Sequence, residues 1–153
     1  MDRRTALSRL AGGAVVAGLG LTGCDLLSPE PPPPHPLMKM LDDTRAMLRR
    51  YDSALAAQPR LAERLTPLRD NHRTHIDELR QLIGPSASAT PSAASVPSSP
   101  APAAEKATLA ALRTAEREGQ AYATQACLSG KPAYAGLLGS IAACRATHAE
   151  VLK

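Results

Sequence analysis

Four side chains in this 153-residue sequence combine ligand or acid–base chemistry with apolar surroundings: His72, His75, Glu116 and His148. Each falls on a run of apolar residues recurring at three- and four-residue steps, which places it on the inward stripe of a helix. His72 and His75 stand three apart and so share one helix face. Imidazoles beside an interior carboxylate suit Zn, Cu or Fe, and an imidazole-rich set favours Zn or Cu. The same groups can instead satisfy one another as a buried hydrogen-bonded network, and that metal-free reading is preferred. Other catalytic patterns are missing from the chain: Gly-x-Ser-x-Gly, a Walker loop, His-Glu-x-x-His and Cys-x-x-Cys. Asp77-Glu78 and the Glu116/Glu118 pair read as solvated or helix-pairing charges rather than an acid–base dyad. No catalytic residue is therefore expected.

The three cysteines are Cys24, Cys127 and Cys144. Outside the cytoplasm, Cys127 and Cys144 as an even pair suggest a disulfide. Their depths argue against it. Around a turn centred near residue 131, Cys127 lies about 4 residues deep and Cys144 about 13, a mismatch of about 13 Å at 1.5 Å per residue. Unwinding residues 127–133 would close that gap, so both states stay open.

Four helical stripes must carry these groups. The first is Leu37, Leu41, Thr44, Leu48, Tyr51 and Leu55, widened by Met40 and Met47 and stopped at Gln58-Pro59. The second is Leu61, Leu65, Leu68, His72, His75, Leu79 and Leu82, ended by Ile83-Gly84-Pro85. Pro67 is expected to kink or restart it, with Thr66 as a cap. The third is Leu109, Leu112, Glu116, Gly119, Ala123 and Ala126, whose small residues let a neighbouring helix approach closely. Ser129-Gly130-Lys131-Pro132 makes a tight turn. The fourth stripe is Tyr134, Leu137, Ile141, Cys144, His148 and Val151.

Residues 84–102 hold six Ser, five Pro, five Ala and no charge, which reads as a flexible linker. At about 3.1 Å per residue it reaches about 59 Å, enough to run back along a helix of about 36 Å. The order is thus short loop, long loop, short loop. It predicts an all-α domain over 37–152: a ferritin-like four-helix bundle of two αα-hairpins joined by a long crossover linker. The linker also leaves open self-association of hairpins between molecules. Leu61, Leu65, Leu68 and Thr74-His75 align without gaps with Tyr134, Leu138, Ile141 and Thr147-His148, which would set His75 and His148 at one depth.

The stretches Pro67–His75 and Leu137–Ala149 resemble a ferritin-like family of unknown function, found mainly in high-GC Gram-positive bacteria and often as lipoproteins. The resemblance implies the bundle and supplies no activity. Ferritin-like carboxylate proteins place a Glu on each of two helices and Glu-x-x-His on each of the other two. Here His72-x-x-His75 stands for one such motif, and Arg145-x-x-His148 puts a cation where the second Glu belongs. Oxygen-activating di-iron chemistry is therefore expected to be lost.

The N-terminus reads as an address. Arg3, Arg4 and Arg9 precede an apolar, Gly-rich run from Leu10 to Leu21, too short for the roughly 20 residues a bilayer needs. Residues 1–23 thus form a signal peptide. Leu21-Thr22-Gly23-Cys24 resembles a bacterial lipobox, which implies cleavage before Cys24 and diacylglycerol on its sulfur. Arg3-Arg4-Thr5-Ala6-Leu7 resembles a twin-arginine signal without the usual aromatic, so the export route stays open. Two acyl chains anchor stably where one does not. The expected place is the outer face of the cytoplasmic membrane, with residues 24–36 a Pro-rich tether and His35 an exposed side chain on it.

Composition narrows the function further. The chain has no Phe, no Trp and three Tyr, so the core must be Leu, Ala, Ile and Met. A β-sandwich or barrel and a base-stacking nucleic-acid platform both need more aromatics. Of the formal +4, three Arg and one Asp lie in residues 1–23, leaving a nearly balanced 15 basic and 13 acidic side chains with alternating sign. No nucleic-acid partner is expected. The expected function is a membrane-anchored, extracytoplasmic, non-enzymatic binding or structural module whose partner is a protein or the cell wall; the alternative is a metal-binding or redox bundle.

Overall fold

The computed structural model describes residues 33–87 and 102–153; the expected signal peptide, Cys24 and most of the expected linker lie outside them. Among the described residues the chain forms four α-helices and no strand: α1 Met38–Ala57, α2 Ala62–Ile83, α3 Pro102–Ser129 and α4 Pro132–Val151. α1 pairs with α2 and α3 with α4, and the hairpins meet through α1 against α3 and α2 against α4. Among the described residues this is the expected all-α four-helix bundle of two αα-hairpins. No described helix is long and apolar enough to cross a membrane.

The stops fall where the chain chemistry puts them. α1 ends at Ala57, ahead of Gln58-Pro59. α2 ends at Ile83, followed by Gly84, whose φ of 72° is a positive value that glycine adopts without a Cβ penalty. α4 starts with Pro132 in its first turn, where a missing N–H costs nothing. At its other end, Arg64 of α2 donates through Nε to the Val151 carbonyl at 3.1 Å and through Nη2 to that of Lys153 at 3.0 Å. Carbonyls left over at a helix C-terminus gain partners this way.

The structure corrects four expectations. Pro67 does not restart α2, and Thr66 caps nothing; the helix runs on through both. Glu63 and Pro67 are exposed, so the carbonyl that loses its N–H partner faces water. Residues 84–87, assigned to the linker, form a 3-10 turn, with Ala87 buried and its carbonyl accepting from Arg45 Nη2 at 2.7 Å. His35 is not a free tether side chain. Its Nδ1 accepts from the Leu37 N–H at 3.2 Å, and its Nε2 lies 3.3 Å from the Tyr134 hydroxyl. The buried face of α4 is Leu138, Ile141, Arg145, His148 and Ala149, followed by buried Leu152 just past its end, while Val151 is 42% exposed.

The last correction has a cause in composition. Ala, Gly and Leu lie all round α4, so apolar periodicity does not fix its phase. The second stripe errs more mildly. A 3.5-residue repeat drifts about 20° per heptad from a straight helix. Over the three heptads from Leu61 this turns Leu82 outward, to 46% exposure, and brings in Ile76 and Ile83.

The interior divides into two apolar clusters. Leu37, Leu41, Leu79, Ile83, Leu138 and Ile141 belong to one. Met47, Leu61, Leu65, Leu68, Leu112 and Leu152 belong to the other. Polar side chains from all four helices lie between them.

Candidate functional site

Glu116 on α3 is the only buried carboxylate among the described residues, at 0% exposure. One of its oxygens, Oε1, gathers three neighbours, one from each other helix. The Tyr51 hydroxyl of α1 donates to it at 2.8 Å. His72 Nε2 of α2 lies 2.8 Å away and His148 Nδ1 of α4 2.9 Å. The His72 and His148 rings meet edge to face, with centroids 5.1 Å apart. The helical repeat explains why each points inward, since each lies on the buried stripe of its helix.

A fifth residue completes the layer. Arg145 of α4 is 2% exposed, and its Nη2 donates to Thr44 Oγ1 at 3.3 Å. Its guanidinium lies over Gly119 of α3, where a Cβ would come within 1.6 Å of Nη1. The small residue expected to admit a neighbouring helix in fact admits this cation. A groove of about 280 Å³ between α1 and α3, with Lys39, Asp43, Arg50 and Glu118 in its lining, reaches Arg145.

Charge follows from these contacts. Burial pushes the Glu116 carboxyl up, but hydrogen bonds with His148 and His72 outweigh it and hold it at about 2. Burial likewise opposes charge on His148, yet hydrogen bonds to Cys144 and Glu116 carry that imidazole up to about 9. His72 goes the other way, because burial dominates its bond to Glu116. Placing its one proton on Nε2 leaves Nδ1, which has no partner, as an uncharged lone pair. Burial and the Glu116 charge raise the Tyr51 phenol, so it stays a neutral donor. Burial lowers Arg145, but a guanidinium keeps its proton throughout the physiological range. One carboxylate therefore faces two cations, Arg145 and His148.

Of the four expected ligands, His72, Glu116 and His148 come together, each offering a ligand atom within 4.8 Å of the others. Such a group could hold one metal ion. His75 does not join it. One turn further along α2, it is 6% exposed beside Ile76 and Leu79, with Nδ1 unpartnered. Burial lowers it to about 4. The alignment that paired His75 with His148 is thus replaced by a pairing of His72 with His148. Cys127 and Cys144 are not bridged in this structure. Cys127 Sγ donates to the Ala135 carbonyl at 3.4 Å, and Cys144 Sγ lies 3.2 Å from His148 Nε2.

Sequence reasoning placed Tyr51 and Thr44 on the core stripe but gave them no role, and it left Arg145 off the stripe. The same i, i+3 spacing that set Arg145 at the second Glu position also puts it on the face of His148.

Residues 38–153 match the protein family described as Ferritin-like domain. The chain belongs to that family. No curated protein and no solved structure matches it. Ferritin-like carboxylate proteins surround two ions with carboxylates from four helices. In this ferritin-like domain a tyrosine, two histidines and an arginine stand beside one carboxylate. A second ion has no buried carboxylate among the described residues, and Arg145 holds a positive charge against Glu116. The residues do not fit the dinuclear centre of the fold.

Proposed function

We propose that this protein is a lipid-anchored, extracytoplasmic module with a non-enzymatic binding or structural role, and that its ferritin-like interior is closed by its own cations. The observation that carries the interior half is the buried Arg145 guanidinium seated on Gly119 beside Glu116. With His148 it supplies the positive charge that ions supply to a carboxylate-rich centre. The polar layer then acts as a register device: buried donors and acceptors fit only one alignment of the four helices. The anchoring half rests on the basic n-region, the short apolar run and Leu21-Thr22-Gly23-Cys24. A partner on the membrane or wall side would be a protein or wall polymer.

Two experiments test it. Cells fed labelled palmitate should incorporate label into the wild type and not into Cys24→Ser, which should leave the membrane fraction. Protein purified from those cells should hold no stoichiometric metal. One Zn, Cu or Fe per chain, lost in His148→Ala, would overturn the interior half in favour of a metal-binding or redox bundle, the reading that the 4.8 Å grouping favours.

A further inference from the structure

Arg145 is buried with most of its donors unused. A guanidinium carries N–H donors on all three of its nitrogens. Among the described residues its one hydrogen bond runs from Nη2 to Thr44 Oγ1 at 3.3 Å, and Nε is buried without a partner. Thr44 is a neutral acceptor, since its own hydroxyl donates to the Met40 carbonyl at 2.8 Å. Glu116 Oε1 is taken by Tyr51, His72 and His148, and no described carboxylate forms an ion pair with the guanidinium. A buried cation with open donors calls for an anionic acceptor.

The groove between α1 and α3 leads to this cation. Its volume of about 280 Å³ stands just below the range of ligand pockets, which begins near about 300 Å³. Gly119 and Arg145 both line it, and the missing Gly119 side chain leaves that part of α3 open over the guanidinium. Ala46, Met47 and Ala115 add apolar wall. Of the charged groups in the lining, Lys39 and Asp43 pair with each other at 2.8 Å. That leaves Arg50 and Arg145 against Glu118, an excess of positive charge that a monoanion balances. A dianion overshoots it and meets Asp43 and Glu118 as well. The planar guanidinium fork matches a carboxylate.

We propose that this groove binds a small organic monocarboxylate, its carboxylate on Arg145 and its carbon body against Ala46, Met47 and Ala115. The site gives the binding role a ligand class, and it rests on the metal-free reading of the interior.

Full-length protein in carboxylate-free buffer supplies the test. Sodium butyrate and sodium phosphate are titrated at matched ionic strength, with heat and the assigned Arg145 Nε–H resonance followed together and metal content measured on the same samples. Butyrate should saturate one site per chain with a dissociation constant of about 1 mM or tighter, and the Arg145 resonance should move with the same constant. Phosphate should bind at least about 10-fold more weakly, because the lining acids oppose a dianion. Arg145→Lys should weaken butyrate by about 10-fold or more. Unsaturable butyrate binding, or saturation with a still Arg145 resonance, would overturn the proposal in the wild type alone, whatever the variant's stability. Phosphate binding as tight as butyrate would overturn the monocarboxylate class. Metal-free protein that ignores butyrate removes the groove site and leaves the metal-free interior standing, whereas stoichiometric metal removes both.

Discussion

The apolar ends of the bundle and its polar middle are held by different physics. At the ends, Leu, Ile, Met and Ala fill the space between helices, and any side chain of similar volume would serve nearly as well. In the middle, Tyr51, His72 and His148 meet Glu116 through short directional contacts that depend on the alignment of all four helices, and Arg145 reaches Thr44 of α1. The ends supply most of the stability through buried area. The middle adds little net stability but is costly to leave incomplete, because a lone charge there has no water. The comparison teaches that uniqueness of register and gross stability come from separate parts of this core.

Removing the carboxylate should have the largest effect. Glu116→Gln leaves Arg145 buried without an opposing charge, and denaturant unfolding should show a loss of about 3–5 kcal/mol. Leu65→Ala, at 0% exposure in an apolar end, should cost about 2–5 kcal/mol. The two losses differ in coupling. Glu116→Gln should be strongly non-additive with Arg145→Leu, whereas Leu65→Ala should add to Leu79→Ala in the opposite cluster. Gly119→Ala should cost about 1–3 kcal/mol by crowding the guanidinium, and Arg145→Ala in the same chain should abolish that cost. Asp43→Asn breaks only the surface pair with Lys39 and should change stability by less than about 0.5 kcal/mol.

Acid and base should act on the middle alone. His75 at about 4 and the lowered His72 are neutral when folded, so their share of stability is complete above the unfolded value of about 6.5 and is lost as pH falls through their folded values, which for His75 is about 4. Glu116 at about 2 adds a loss below the unfolded value of about 4.3. His148 has the opposite sign: its share is complete below about 6.5 and disappears as pH rises through 9. Thermal midpoints should therefore be highest near neutral pH. Glu116→Gln should flatten the alkaline arm, because His148 loses its carboxylate partner.

The ends of the bundle were more legible in the sequence than its middle. The proline and glycine stops, both hairpins and most of the α1 and α2 stripes follow from residue type and spacing, which are local properties. Three of the four expected interior ligands converge for the same reason. His75 could not be separated from His72 by periodicity, because both share a face and only depth along the axis distinguishes them. Arg145 was read as a cation at the second Glu position from its spacing to His148, but it was left off the inward stripe because apolar periodicity does not register a charged residue. The phase of α4 failed with it, since Ala and Gly on every side leave no apolar edge to follow.

The claim that the protein's own cations balance Glu116 is tested most directly by equilibrium dialysis of wild-type protein against Zn, Cu and Fe in turn, with bound metal and the thermal midpoint measured on the same samples. The account predicts less than one tenth of an ion per chain and an unmoved midpoint for each metal. One tightly held ion per chain with a raised midpoint would contradict it.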